Sequence, residues 1–95
     1  MDKTDVIFRK DKHGVYALFP YLIATHDGQI TGYMHIGQHF SAHYIHCVTE
    51  SKPAKPEEYA DLMAELENQV GYNLRIRKKM NHKKYVESYY SLKNL

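Results

Sequence analysis

Ninety-five residues leave room for one domain with one core, and a formal net charge of +2 with neutral histidines is too small to name a charged partner. The composition, 43% hydrophobic and 25% charged, excludes a disordered or membrane-embedded chain and fits an ordinary globular protein. The lone cysteine, Cys47, excludes an intramolecular disulfide; with no apolar leader in MDKTDVIFRK, and Pro20 breaking the run from Val15 to Ala24, a cytoplasmic protein with no membrane association is expected.

Asp5 to Lys10 is rich in β-branched and aromatic residues, with Val6 and Phe8 on one face, and Asp11-Lys12-His13-Gly14 closes it as a turn. Val15 to Phe19 returns as a second strand, which Pro20 makes an edge strand or interrupts before Tyr21 to Thr25 continues. After the turn at His26-Asp27-Gly28, Ile30 to Ile36 reads as a third strand leading into Gly37-Gln38-His39 as a loop. HYIHCVT, His43 to Thr49, fits a strand or a short helical turn; the strand is preferred, with Tyr44 and Cys47 at apolar positions. A proline-bearing connector, Ser51 to Lys55, precedes Pro56, which suits the first turn of a helix. There Tyr59, Leu62, Met63, Leu66 and Val70 make one apolar stripe, Glu57 and Glu58 favour the helix N-terminus, and Gly71 ends the helix. Tyr72, Leu74 and Ile76 alternate with Asn73, Arg75 and Arg77 as in a half-buried strand, and Lys83 to Leu92 reads as a terminal helix bearing Tyr85 and Tyr89 on one side, or as a loose tail. Residues 1–95 are therefore expected to form a single α+β domain: a mostly antiparallel sheet of four or five strands with the Pro56–Val70 helix on one face.

The segment Tyr33 to Cys47 concentrates side chains capable of chemistry. His35, His39, His43 and His46 follow an H-x3-H-x3-H-x2-H spacing beside Cys47, and imidazole and thiolate are good zinc and copper ligands. Gly37 and the surrounding β-formers argue against the helix that would align three of these histidines, and no C-x2-C pair or HExxH motif accompanies them. The plainer reading is a surface strand-loop-strand, with no metal and no cofactor. His35 or His39 would suit a general base, with Gln38 and the glycine turn facing an anion. No activated serine, paired carboxylates or phosphate-binding glycine pattern joins them, so an enzyme is the less favoured reading.

A second constellation is basic. Arg75, Arg77 and Lys79 share a strand face, Lys78, Lys83 and Lys84 support them, and Tyr85, Tyr89 and Tyr90 stand close behind. Cations interleaved with aromatics neutralise phosphates and stack bases, so a nucleic-acid-binding surface is one reading; a lysine-bearing edge strand that resists aggregation is the plainer one. The helix carries the opposite sign in Glu57, Glu58, Asp61, Glu65 and Glu67. Such charge poles steer protein partners.

VIFRK at 6–10, ALFP at 17–20, YMHIGQH at 33–39, EEYADLMAEL at 57–66 and GYNLRIRK at 71–78 together resemble a family of small uncharacterised proteins of bacteria, their phages and other mobile elements. The resemblance spans Val6 to about Lys78 and brings no catalytic residues with it. It implies a compact accessory protein that binds a host protein, defence nucleases included, without doing chemistry. The leading expectation is thus a non-enzymatic modulator, such as an anti-defence inhibitor, acting on a host protein. The alternatives are a nucleic-acid-binding module on the basic strand and a small metal or hydrolytic site at the histidines.

Overall fold

The computed structural model describes residues 3–34 and 38–93. Its strands are β1 (Thr4–Asp11), β2 (Gly14–Ile23), β3 (Ile30–Met34), β4 (Gln38–Ala42), β5 (Lys52–Pro53) and β6 (Leu74–Ile76). Its helices are α1 (Tyr44–Thr49), α2 (Pro56–Glu65) and α3 (His82–Lys93). The strands make one mixed sheet in the order β4-β3-β2-β1-β5, with β6 pairing in parallel to β1 and every other pair antiparallel. The fold is α+β, as expected, with the mostly antiparallel sheet extended by the short β5 and β6.

Helices cover both faces of this sheet. On one, Val6, Phe8, Ala17, Phe19 and Tyr33 pack under Leu62 of α2 and Leu66 just beyond its end, with Leu74 closing the cluster. On the other, Ile7, Tyr16, Leu18, Ile30 and Ala42 pack under Tyr44 and Cys47 of α1 and Met80 and Tyr85 beside and within α3. β1 and β2 are the middle strands and are buried from both sides, which accounts for their continuous apolar runs.

Several elements depart from their sequence reading. His43 to Thr49 is helical, not extended. Tyr44 and Cys47 both pack on the second core cluster, and a helix puts residues three apart on one side where a strand would separate them. Gln38 and His39 belong to β4 and not to a loop; Ile36 and Gly37, read as a strand end and turn, lie outside the described residues. Pro20 sits within the central strand β2, where the pairing with β3 shifts register between Phe19 and Ile23, so its missing N–H falls at an irregular stretch of the ladder. The helix opened by Pro56 does extend to Val70, but its last five residues, Leu66–Val70, are π-helical. That wider turn keeps Leu62 and Leu66 in the core while Val70 turns out to 41% exposure. Gly71, in the left-handed region at φ 99°, ends it as predicted, its N–H reaching the Leu66 carbonyl at 2.9 Å. Among the described residues no helix is long and apolar enough to cross a membrane.

Gly32 faces Phe40 across the β3–β4 pair, and the Phe40 ring lies where a side chain at position 32 would begin, 2.6 Å from an added Cβ to Phe40 Cε2. Gly32→Ala is expected to displace that ring from its edge contact with Tyr16 and to lower stability by about 1–3 kcal/mol, measured by chemical denaturation.

Candidate functional site

One edge of β1 is divided between two partners. Thr4–Val6 pair with β6, whereas Arg9 and Lys10 pair with β5, so the edge splits near Phe8. The Arg77 N–H bonds the Val6 carbonyl at 2.8 Å and the Ala54 N–H bonds the Phe8 carbonyl at 3.1 Å, fixing the two lips of the split.

On the α3 side of the sheet the cations gather on a single carboxylate. Asp5 stands opposite Arg75 in the parallel register, and residues paired in a ladder point to the same face. Arg75 Nε donates to Asp5 Oδ1 at 2.7 Å, Arg77 Nε to Oδ2 at 3.4 Å, and Lys84 Nζ lies 3.5 Å from Oδ2. Burial by itself pushes the Asp5 carboxyl up, but the Arg75 hydrogen bond and the charges of Lys84, Arg75 and Arg77 outweigh it and hold the group below its ordinary 3.8. The Asp5 side chain is 4% exposed, yet those of Arg75, Arg77 and Lys84 remain 44, 48 and 49% exposed, so each cation still presents hydrogen-bonding capacity outward. Lys84 also rests over the Tyr21 ring, 4.6 Å from its centroid, and the Tyr21 hydroxyl accepts the Asn81 N–H at 2.9 Å. Between these groups lies a groove of about 380 Å³ lined by Tyr21, Arg77, Lys79, Asn81 and Lys84 over Asp5.

A cleft of about 360 Å³ opens between β5 and β6 on the α2 side of the sheet. Its walls are apolar: Phe8 and Tyr59 are stacked at 4.3 Å with an interplanar angle of 10°, and Pro56 and the 42%-exposed Ile76 flank them. Arg77 and Lys78 form its basic rim, and Arg77 lines both the cleft and the groove.

Of the basic residues singled out from the sequence, Arg75, Arg77 and Lys84 converge on Asp5, Lys79 lines the groove beside them, and Lys83 is exposed on α3. Tyr85 and Tyr89 do share one side of α3, but they are engaged inside the protein. Their hydroxyls donate to the Gly28 and His26 carbonyls, tying the helix to the turn after β2. Asp5, Tyr21 and Asn81 had not been assigned to this surface, and Phe8, Tyr59 and Ile76 had been read only as apolar positions. The basic run from Arg75 to Lys84 contains no acid, and that missing counter-charge was the one local sign that a distant carboxylate would sit against it.

The histidines are spread out. His39 is exposed on β4, its Nε2 3.1 Å from the Tyr72 hydroxyl and its ring edge-on to Tyr33 at 4.9 Å, so it links β4 to the segment before β6. Gln38 is exposed beside it, His43 is the N-cap of α1, and His46 is exposed within that helix; His35 lies outside the described residues. Among the described residues no three His, Cys, Asp or Glu side chains are grouped as metal ligands. The Cys47 thiol is half-buried, and burial pushes its pKa up, away from the thiolate form a nucleophile or ligand would use.

Comparison of the chain with protein-family models, with curated proteins and with solved structures found no match.

Proposed function

We propose that this chain is a binding protein that modulates a protein partner by occupying an acidic surface of it, the contact centring on Arg77. The observation that carries this reading is the position of Arg77 between an apolar cleft and a cationic groove, a pairing of anchor and charge typical of protein-docking surfaces. The phage or mobile-element setting implied by the sequence resemblance supplies the class of partner: a cytoplasmic host protein, with inhibition of a defence enzyme as one outcome of such occupancy. The nucleic-acid reading keeps support from Arg75, Lys79, Lys83 and Lys84 at the same end of the molecule. Its stacking platform is reduced, because Tyr85 and Tyr89 are half-buried with their hydroxyls on backbone carbonyls, leaving Tyr90 at 56% exposure as the open ring.

The test compares the tagged protein with Arg77→Glu in affinity capture from a bacterial lysate, with and without nuclease. A protein retained through nuclease treatment by the wild type, and reduced at least about tenfold with Arg77→Glu, is expected from loss of a central charged contact. Recovery of nucleic acid alone, with all protein lost on nuclease treatment, would transfer the function to the basic run.

A further inference from the structure

We infer that the cleft between β5 and β6 receives one apolar side chain of the partner, presented on an acidic peptide segment. This rests on the docking reading above and names what the surface recognises. The walls, Phe8, Tyr59, Pro56 and Ile76, come from three separate parts of the chain and present carbon to a space of about 360 Å³, enough for one side chain and too small for a helix. The site is also held in shape without a ligand. Phe8 and Tyr59 are stacked on each other, and the two lips are tied to neighbouring carbonyls of β1, so binding need not order the chain first.

Charge selects the flanks of that segment. Arg77 and Lys78 stand on the rim, and Lys79 and Lys84 continue the positive field past the edge into the groove, with Arg75 paired to Asp5 beside them. Of the two acids between the wall residues Pro56 and Tyr59, Glu58 is engaged by Lys10 and by the Lys55 N–H at 3.0 Å, so its charge is compensated locally, and Glu57 is exposed and absent from the cleft lining. A peptide with carboxylates on either side of a leucine or phenylalanine therefore meets opposite charge at its flanks and apolar surface at its centre.

The experiment uses the full chain and fluorescein-labelled acidic heptapeptides of aspartate and glutamate with leucine, serine or lysine at the centre, read by fluorescence anisotropy at two salt concentrations. The leucine peptide is expected to bind about tenfold more tightly than the serine peptide, the scale of burying part of one aliphatic side chain. Ile76→Ser, a change at an exposed position, should erase that preference while circular dichroism stays native. Lys78→Glu should weaken both peptides and reduce the salt dependence of binding. Equal affinity for leucine and serine peptides, or no peptide binding, overturns the inference, as does a single-stranded oligonucleotide displacing the leucine peptide at lower concentration than the unlabelled peptide does. Lysate capture lost with Arg77→Glu but unchanged by Ile76→Ser would also overturn the anchor while leaving the docking reading standing.

Discussion

Arg9→Met is expected to cost about 3 kcal/mol and to lower the melting temperature by roughly 12 °C or more, the largest loss from any single side chain outside the apolar core. Arg9 is 7% exposed on β1, and its guanidinium donates to Ser51 Oγ at 2.8 Å, to the Val48 carbonyl at 3.0 Å and to the Ser51 carbonyl at 2.8 Å. Two of these acceptors are carbonyls at and just beyond the C-terminal turn of α1, where a helix has no internal donors left and where a cation is favoured. A six-residue helix has no stability of its own and depends on such tertiary ties. Methionine matches much of the volume but supplies no donor, leaving both carbonyls without the fork that reached them. Arg9→Lys should recover only part of the loss, because a single ammonium cannot reach three acceptors in that geometry. Hydrogen exchange makes the assignment local: the Cys47 and Glu50 amides, bonded to the His43 and His46 carbonyls at 3.0 Å each, should lose protection before those of α2. A loss under 0.5 kcal/mol, with α1 protection unchanged, would remove Arg9 from this role.

The parts of this architecture that were legible in the sequence are those whose cause is local. The apolar stripe as far as Leu66, though not Val70, the stop at Gly71 and the four-residue spacing of Tyr85 and Tyr89 all depend on neighbours within one or two turns, and the hairpin from β1 to β2 depends on the turn ending in Gly14. The helix α1 was hidden because its six residues contain too few apolar positions to separate a period of 3.6 from one of 2. Pro20 misled for another reason: its cost depends on whether a ladder bond is required there, which is decided by the register shift against β3. The basic residues of the candidate site were visible, but the geometry that organises them was not. Asp5 and Arg75 are 70 positions apart and meet only through the parallel β1–β6 pairing; the acid-free basic run hints at a distant carboxylate, but neither segment signals which one or in what register. The cleft is equally non-local, being the gap left where β5 and β6 divide one edge of β1.

Asp5→Asn is the substitution that should separate the stability of this end of the molecule from its charge. Wild-type Asp5 is buried under three cations, and breaking one partner of a buried ion pair generally costs 3–5 kcal/mol. Here the cations are about half exposed and can turn to water, and asparagine still offers one oxygen to Arg75, so a loss of about 2 kcal/mol at neutral pH is expected. The pH dependence has a definite sign. Because the folded-state carboxyl titrates below its ordinary 3.8, folding favours the ionised form; the resulting stabilisation is complete above the unfolded value and disappears as pH falls through the lower folded value. Denaturation midpoints of wild type and Asp5→Asn should therefore differ most at neutral pH and converge under acid conditions below 3.8. Binding should move the other way. Removing one negative charge frees Arg75, Arg77 and Lys84 to face outward, so the variant should elute later from a cation exchanger and hold the acidic leucine peptide with a steeper dependence on salt. Lower stability with stronger anion retention would mean that Asp5 restrains the surface it helps to build. Lower stability with unchanged retention would mean that the three cations are structural ties and leave recognition to Lys78 and Lys79.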